Sequence, residues 1–215
     1  MGSLAASKRR LQGYSEAQLT HADEDLRSMS AYSSTWGGTQ FVRCKLGLAD
    51  FSGALFSNCT FYRCDAYAMN FTGARFKDCL FTDCEMSQSM FRGAILDGVV
   101  FEGCRLAYSI FDGATVRAAT FNGCNLHGAD LSYAECNDAT YTDSNLWGAK
   151  IALNCSFWNG RFDRRSCDFF AGLLARVYPD GDVKSALHQI AGKQVNVVER
   201  LMRSSGEGDV ESVAS

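Results

Sequence analysis

Residues 61–84 read FYRCDAYAMNFTGARFKDCLFTDC, and an apolar residue returns there at every fifth position. Phe61, Phe71, Phe76 and Phe81 fall in this frame, and a small residue usually lies two positions before the large one. Neither an α-helix nor a β-strand has a period of five residues. Five residues therefore correspond to one short strand and one corner, with one large and one small side chain pointing inward.

The same frame runs along most of the chain, because every fifth residue from Trp36 to Ile151 is apolar. A second period of twenty residues is superimposed on it. It is visible in one aromatic series, one cysteine series and one glycine series: Phe41, Phe61, Phe81, Phe101, Phe121 and Tyr141; Cys44, Cys64, Cys84, Cys104 and Cys124; Gly53, Gly73, Gly93 and Gly113. Four units of five residues thus make one coil, and successive coils stack about 4.8 Å apart, as paired strands do. Glycine suits the tight corners of such a coil.

Several of the five-residue units fit a known motif. Ala129-Asp130-Leu131 matches A(D/N)Lxx letter for letter, and Cys124-Asn125-Leu126 and Ser144-Asn145-Leu146 match it with another small first residue. On these residues the chain resembles the pentapeptide-repeat family. The resemblance implies an all-β solenoid, a right-handed quadrilateral β-helix, with about six to seven stacked coils in this chain.

The repeat frame indicates four segments. After Ile151 the small and large positions recur one residue later, at Cys155 and Phe157, which indicates a single inserted residue near 152–154. The repeat fades by Cys167. We expect a tail with a capping helix over 1–30, the β-helix over 31–167, a helical cap over 168–204 and a disordered tail over 205–215.

Both ends of a coil stack expose unpaired strand groups and need caps. Ser15 and Gln18 form a capping-box pattern, which predicts a short helix within residues 15–28. Residues 168–204 carry apolar residues at helical spacing, which predicts a C-terminal helical cap. The resemblance offers homodimerisation as an alternative role, because family members that dimerise use C-terminal segments. The apolar positions concerned are Phe169, Phe170, Leu173, Leu174, Leu187, Ile190, Val198 and Leu201.

Most of the ten cysteines fall at inward positions. A zinc site needs ligands that converge on one point, and a row of cysteines does not converge. A disulfide needs Cβ atoms about 3.8 Å apart, and stacked coils about 4.8 Å apart fit this poorly. We predict thiols that pack as small hydrophobic side chains. Reduced thiols favour a cytoplasmic location, while secretion without a Sec signal and incorporation into a virion stay open.

Charge and motifs disfavour several functional classes. The net charge of −3 argues against a protein that binds nucleic acid through phosphate contacts, and no apolar run is long enough to span a membrane. His21, His127 and His188 lie in three separate regions. No phosphate-binding loop or hydrolase motif occurs in the sequence. We expect no enzymatic activity, no catalytic or metal site and no cofactor.

The outward positions carry two candidate binding surfaces. An acidic stripe lies on two adjacent faces, where Arg117 is the opposing charge: Asp78, Asp83, Asp97, Glu102, Glu135, Asp138 and Asp143. An apolar interface is formed by outward residues of the middle coils: Leu80, Met90, Ile95, Val100 and Ile110. In addition, Tyr67, Tyr108 and Trp147 project from or near one face.

These surfaces support two hypotheses, and both predict a protein partner. In repeat and size the chain resembles the Qnr-type quinolone-resistance members of the family, which bind DNA gyrase with acidic groups where the duplex would lie. The resemblance implies a DNA mimic that binds gyrase or another type II topoisomerase, although Arg43, Arg63, Arg75 and Lys77 lie on the same faces in earlier coils. The alternative is a virion component, secreted effector or scaffold that docks through the apolar interface.

Overall fold

The computed structural model describes residues 12–151, 155 and 160–163, and its regular elements are short strands and single-residue bridges. The strands are β1 (Ser15–Ala17), β2 (Thr20–Ala22), β3 (Thr35–Gly37), β4 (Gln40–Val42), β5 (Leu55–Ser57), β6 (Thr60–Tyr62), β7 (Arg75–Lys77), β8 (Leu80–Thr82), β9 (Ile95–Asp97), β10 (Val100–Glu102), β11 (Thr115–Arg117), β12 (Thr120–Asn122), β13 (Thr140–Thr142) and β14 (Arg161–Phe162). The protein is an all-β parallel solenoid, as the period predicts.

Each coil contributes to four faces. Face 1 is the parallel sheet of the odd-numbered strands from β1 to β11, and face 2 is the parallel sheet of the even-numbered strands together with β13. Faces 3 and 4 are columns of single parallel bridges, from Asp25↔Lys45 to Asn125↔Asn145 and from Ser30↔Asp50 to Asp130↔Lys150. Paired residues in successive coils are twenty apart, as in Phe61↔Phe81, so each side chain lies next to its counterpart in the neighbouring coil.

The interior is filled by columns of like side chains. Behind face 2, Phe61, Phe81 and Phe101 stack with ring centroids 4.5 and 4.9 Å apart and with nearly parallel planes. This column extends downward through Phe41 to His21 and upward through Phe121 and Tyr141 to Phe162. Stacked rings of this kind contribute beyond the area that they bury. The predicted aromatic core is therefore confirmed over the described coils.

The corners depend on one left-handed residue in every five. In the turn from Phe71 to Ala74, the Ala74 N–H donates to the Phe71 carbonyl at 2.9 Å, and Gly73 has φ +66°. A positive φ at the third residue of a turn favours glycine or asparagine. Other corners use Asn58, Asp78 or Asp83 at φ 52–54°, residue types that tolerate this region better than most.

The predicted N-terminal helix over 15–28 is wrong. This segment contains β1 and β2 and forms the first coil, with β1 paired to β3 and β2 paired to β4. Its inward positions keep the five-residue frame, because His21 and Leu26 are buried. Pairing with the second coil satisfies the backbone groups that a helix would have satisfied internally, and the solenoid therefore begins before residue 31.

The one-residue shift near the C-terminal end of the repeat is confirmed. Tyr141 pairs with Phe162, twenty-one positions along rather than twenty, and Cys155 Sγ reaches the Leu131 carbonyl at 2.6 Å. The helices, apolar cap residues and dimer interface predicted over 168–204, and the tail over 205–215, lie outside the described residues. Within the described part, no helix is long and apolar enough to cross a membrane.

Substitution of Phe81 by alanine should destabilise the protein by about 3–5 kcal/mol, because it leaves a cavity in a fully buried ring column. Urea unfolding followed by circular dichroism measures this change. The matched control is Thr82→Ala, which alters the next, outward residue of β8 and should cost less than about 0.5 kcal/mol. Equal losses for the two variants would contradict the stacked-column core.

Candidate functional site

The interior of the described coils contains a row of thiols. Cys64, Cys84 and Cys104 lie one above another on face 3, and each Sγ–H donates to a phenylalanine carbonyl of the coil below at 3.3 Å. The nine cysteines among the described residues are all free and buried, which confirms the packing role. Burial raises the pKa of the Cys136 thiol to about 12, so the protonated form is strongly favoured. The described residues contain no group of three or more side chains that could hold a metal ion.

The seven residues of the predicted acidic stripe are all exposed. Asp97 lies on face 1 and Glu102 on face 2, while Asp78 and Asp138 occupy the corner between these two faces. Glu135 continues face 1 through its bridge to Thr115. The last two, Asp83 and Asp143, lie at the corner that follows face 2. The structure therefore brings the stripe together over two adjacent faces.

Basic residues oppose only part of this stripe. Asp83 forms an exposed ion pair with Arg63, with an N–O distance of 3.4 Å. Asp97 stands in register between Lys77 below and Arg117 above. Glu102, by contrast, stands between Thr82 and Asn122, both uncharged.

A further carboxylate lies at the upper end of the stripe, where Arg161 is in register with Thr140 on face 2. The Asp143 N–H donates to Asp163 Oδ2 at 2.5 Å, which places one further carboxylate beside the stripe. Sequence reasoning missed Asp163, because the shifted frame makes it the counterpart of Thr142 and not of Asp143.

The five residues of the predicted apolar interface divide between three faces. Leu80 and Val100 are paired on face 2, and Met90 and Ile110 form a bridge on face 4. Ile95 lies on face 1, in register with Arg75 and Thr115. Each pair forms a small apolar strip two coils long, and the five side chains do not make one continuous patch.

Faces 3 and 4 carry charges that compensate each other between coils. Arg105 pairs with Glu85 at 3.4 Å, and Arg92 pairs with Asp112 at 3.2 Å. Lys150 lies 4.0 Å from Asp130. The signal in the sequence is an acid and a base twenty residues apart. This pairing leaves faces 1 and 2 as the side with excess negative charge.

A row of mostly aromatic side chains, exposed except for the half-buried His127, follows the corner between faces 3 and 4. We call it the aromatic edge, and it consists of Leu48, Tyr67, Tyr108, His127 and Trp147. The ring of Tyr108 lies over Gly128, and the Tyr108 hydroxyl is 3.0 Å from His127 Nε2. The sequence showed that three of these rings project near one face. It did not show that His127 joins them, because that depends on how the rings lean between coils.

Comparisons with known proteins point to one repeat family. A family model described as a pentapeptide repeat region matches residues 34–111, and one described as pentapeptide repeats (8 copies) matches residues 109–149. Together the two matches cover more than half of the chain. A comparison with curated proteins finds no match.

Solved structures with the same kind of repeat are similar at low identity. The pentapeptide repeat protein Rfr23 from the cyanobacterium Cyanothece 51142 is 17% identical, with 71% of this chain and 90% of that chain covered and a TM-score of 0.43. Full-length QnrB1, a plasmid-mediated fluoroquinolone resistance protein, is 19% identical, with 69% and 86% covered and a TM-score of 0.38. A pentapeptide repeat protein from the thylakoid lumen of Arabidopsis thaliana is 20% identical, with 65% and 88% covered and a TM-score of 0.37.

The nine described thiols should not react with a thiol reagent until the protein unfolds, because reaction needs an accessible thiolate. In native buffer at mildly alkaline pH, a colorimetric reagent should therefore detect at most one of the ten cysteines. All ten should react in denaturant. Gln88→Cys, which places a thiol at an exposed corner, should add one fast-reacting group. Rapid reaction of several native thiols would contradict the closed core.

Substitution of Gly128 by alanine should cost more stability than Gly73→Ala. The backbone strain is similar, since φ is +64° and +66°, but a Cβ at residue 128 would lie 2.6 Å from the Tyr108 ring, whereas residue 73 has open space. Displacement of the ring should remove the hydrogen bond to His127, which corresponds to about 0.5–1.5 kcal/mol. Urea unfolding measures the difference, and a Tyr108→Ala background should abolish it. A difference that persists in that background would contradict the contact.

Proposed function

We propose, from the premise that the chain belongs to the pentapeptide-repeat family, that it is a non-catalytic protein-interaction module that binds DNA gyrase or another type II topoisomerase as a mimic of DNA. The single observation that carries this proposal is the excess of carboxylates on faces 1 and 2 between Asp78 and Asp143. The named partner comes from the resemblance to Qnr-type members of the family, and the binding surface comes from the distribution of charge.

The net negative charge of these faces, seven carboxylates less Arg117, is about two-thirds of that of a DNA duplex of the same length. At about 4.8 Å per coil, the distance from Asp78 to Asp143 along the rod is about 16 Å. A duplex of that length carries about nine phosphate charges. The two faces carry the seven carboxylates of the acidic stripe, with Arg117 as the basic residue within the same span. Arg75 and Lys77 lie on face 1 of the coil that contains Asp78, and Arg63 lies in the coil below, so the excess of acid develops above this coil.

The rigidity of the stack favours binding through a fixed array of charges. Backbone hydrogen bonds join every described coil to the next, for example from Asp78 N to the Asp97 carbonyl at 3.0 Å and from Asp83 N to the Glu102 carbonyl at 2.8 Å. Carboxylates on such a frame need little ordering when a partner binds. A concentrated negative surface also steers a basic partner during association, with a strong dependence on ionic strength.

The alternative role as a virion component, effector or scaffold has less support from the predicted apolar interface. Leu80 and Val100, Met90 and Ile110, and Ile95 face three directions, and one partner surface cannot cover all of them at once. A cytoplasmic location is part of the proposal, because nine buried free thiols are in keeping with a reducing compartment.

A gyrase supercoiling assay with purified protein, with and without a fluoroquinolone, tests the proposal. The native protein should inhibit supercoiling or protect gyrase from the drug. A variant with Asp97→Asn, Glu102→Gln, Glu135→Gln and Asp138→Asn should lose at least about tenfold in potency, because it removes four charges from faces 1 and 2 without a large change of shape.

The matched control removes four carboxylates from the other two faces: Asp65→Asn, Glu85→Gln, Asp112→Asn and Asp130→Asn. It has the same net charge as the first variant and should keep native potency. An equal loss in both variants would show that net charge, not the acidic faces, determines the effect. No effect of the native protein on gyrase, even in large molar excess, would refute the proposed partner.

A further inference from the structure

Face 4 and the two corners that border it carry much of the exposed apolar surface of the described coils. Eight large hydrophobic side chains are exposed among the described residues, and four of them lie on this side of the rod: Leu48, Met90, Tyr108 and Tyr133. Met90 forms a bridge with the half-buried Ile110 of the next coil. Apolar surface that is concentrated on one side of a protein is typical of an interface.

We propose that face 4 binds the same face of a second copy of this chain, with the two rods antiparallel. The two-fold axis of this homodimer runs along the strand direction. It passes between the fourth and fifth coils, counted from the coil that contains β1 and β2. The second coil of one copy then faces the seventh coil of the other, and the third faces the sixth. Because a two-fold interface uses the same patch on both copies, each outward column of residues faces itself in reverse order.

The first outward column of face 4 is self-complementary in this arrangement. From the second coil to the seventh it consists of Asp50, Asn70, Met90, Ile110, Asp130 and Lys150. Reversal places Met90 against Ile110 of the second copy, so four apolar side chains meet at the two-fold axis. At each end of the interface it places Asp50 against Lys150, an acid against a base. The amide of the third coil likewise faces the carboxylate of the sixth, a donor against an acceptor.

The second outward column and the corner after it are complementary as well. Arg92 in the fourth coil faces Asp112 in the fifth coil of the second copy, and the same two residues pair within one chain at 3.2 Å. The four side chains therefore form a ring of alternating charge. At the corner, Tyr133 is 59% exposed and its position faces Gly73 of the second copy. A Cβ at Gly73 or at Gly93 would meet nothing within 4 Å, so this corner has room for the ring.

Other arrangements of two copies bring unlike surfaces or like charges together. With parallel rods, the first column faces the second column of the same coil, which places Met90 against Arg92 and Ile110 against Asp112. With antiparallel rods and the axis at the fourth or the fifth coil, Arg92 or Asp112 faces its own equivalent, and like charges in opposition are costly. A shift of the axis by one whole coil places both Met90 and Ile110 against polar residues. The order of residues therefore favours one orientation and one register.

The area of face 4 predicts a weak and reversible dimer. Six coils at about 4.8 Å and five residues at about 3.3 Å give a footprint of about 480 Å² on each copy. Twice this area lies at the lower limit for specific interfaces, in the range of transient complexes. The stack is rigid before association, because backbone hydrogen bonds join the coils of this face, as from Phe111 N to the Asp130 carbonyl at 2.7 Å. Little ordering is then needed on binding, and we expect a dissociation constant in the micromolar range.

This inference is independent of the proposed gyrase partner. Face 4 lies on the opposite side of the rod from face 2, so the dimer leaves face 2 open on both copies. The variant that lacks four carboxylates of faces 1 and 2 should dimerise as the native protein does. Its matched control, which lacks the carboxylates of Asp112 and Asp130, should keep its potency toward gyrase and dimerise more weakly. The two proposals therefore fail separately.

Analytical ultracentrifugation of the full chain at micromolar to millimolar concentrations tests the inference. The native protein should show a monomer–dimer equilibrium. Met90→Arg should weaken it at least about tenfold, because it brings two cations to the apolar centre. The matched control is Leu55→Arg, which changes an exposed apolar residue of face 1 and should leave the equilibrium unchanged. A native protein that stays monomeric, or a dimer that Met90→Arg does not weaken, would overturn the proposal.

A charge exchange between two chains tests the orientation. Asp50 and Lys150 lie five coils apart, about 24 Å along the rod, so they can meet only between copies. Asp50→Lys and Lys150→Asp should each weaken self-association about tenfold, because like charges then meet at both ends of the homodimer. An equimolar mixture of the two variants should recover association, since their heterodimer has an acid against a base at both ends. Sedimentation of one fluorescently labelled variant measures this, and no recovery in the mixture would overturn the antiparallel arrangement.

Discussion

Parallel pairing of residues twenty positions apart is the constraint on which the rest of the structure depends. Because the backbone hydrogen bonds run from each coil to the next, every side chain is stacked on its counterpart in the coil below. A phenylalanine in one coil therefore favours a ring in the next, and a thiol at Cys64 is followed by thiols at Cys84 and Cys104. The corners are periodic as well, since a residue with a positive φ recurs every five positions.

The same constraint makes the surface a set of columns. An ion pair such as Arg105–Glu85 joins neighbouring coils of face 3, while Glu102 has only Thr82 and Asn122 beside it. Because charges are paired in some columns and unpaired in others, one rod has a neutral side and an acidic side. The described repeat needs no inserted loop for this. Side chains at the corners lean toward the next coil, which brings Tyr108 against Gly128 and His127. The outer surfaces of the described coils are therefore long, rigid and periodic.

Local patterns misled where a long-range contact competed with them. Ser15 and Gln18 satisfy a capping box, yet β1 pairs with β3, because pairing with the second coil satisfies the backbone groups and also buries His21 and Leu26 in the core. The sequence identifies the apolar residues from Leu80 to Ile110 as outward. They divide between three faces because they stand at different positions within the twenty-residue period. The contact between Asp163 and Asp143 could not be predicted, because the shifted frame makes Asp163 the counterpart of Thr142.

The sequence by itself determined the solenoid, its core columns, its buried free thiols and the one-residue shift near residue 152. A five-residue period superimposed on a twenty-residue period has only one physical solution, a coil whose inward positions are apolar. Only the tertiary structure decided where the first coil begins, which acids are neutralised and how the rings of the aromatic edge meet. The start of the first coil depends on strand pairing with the second coil. The ion pairs and the ring contacts depend on the lean and rotamer of side chains between coils, a direction that no period in the sequence encodes.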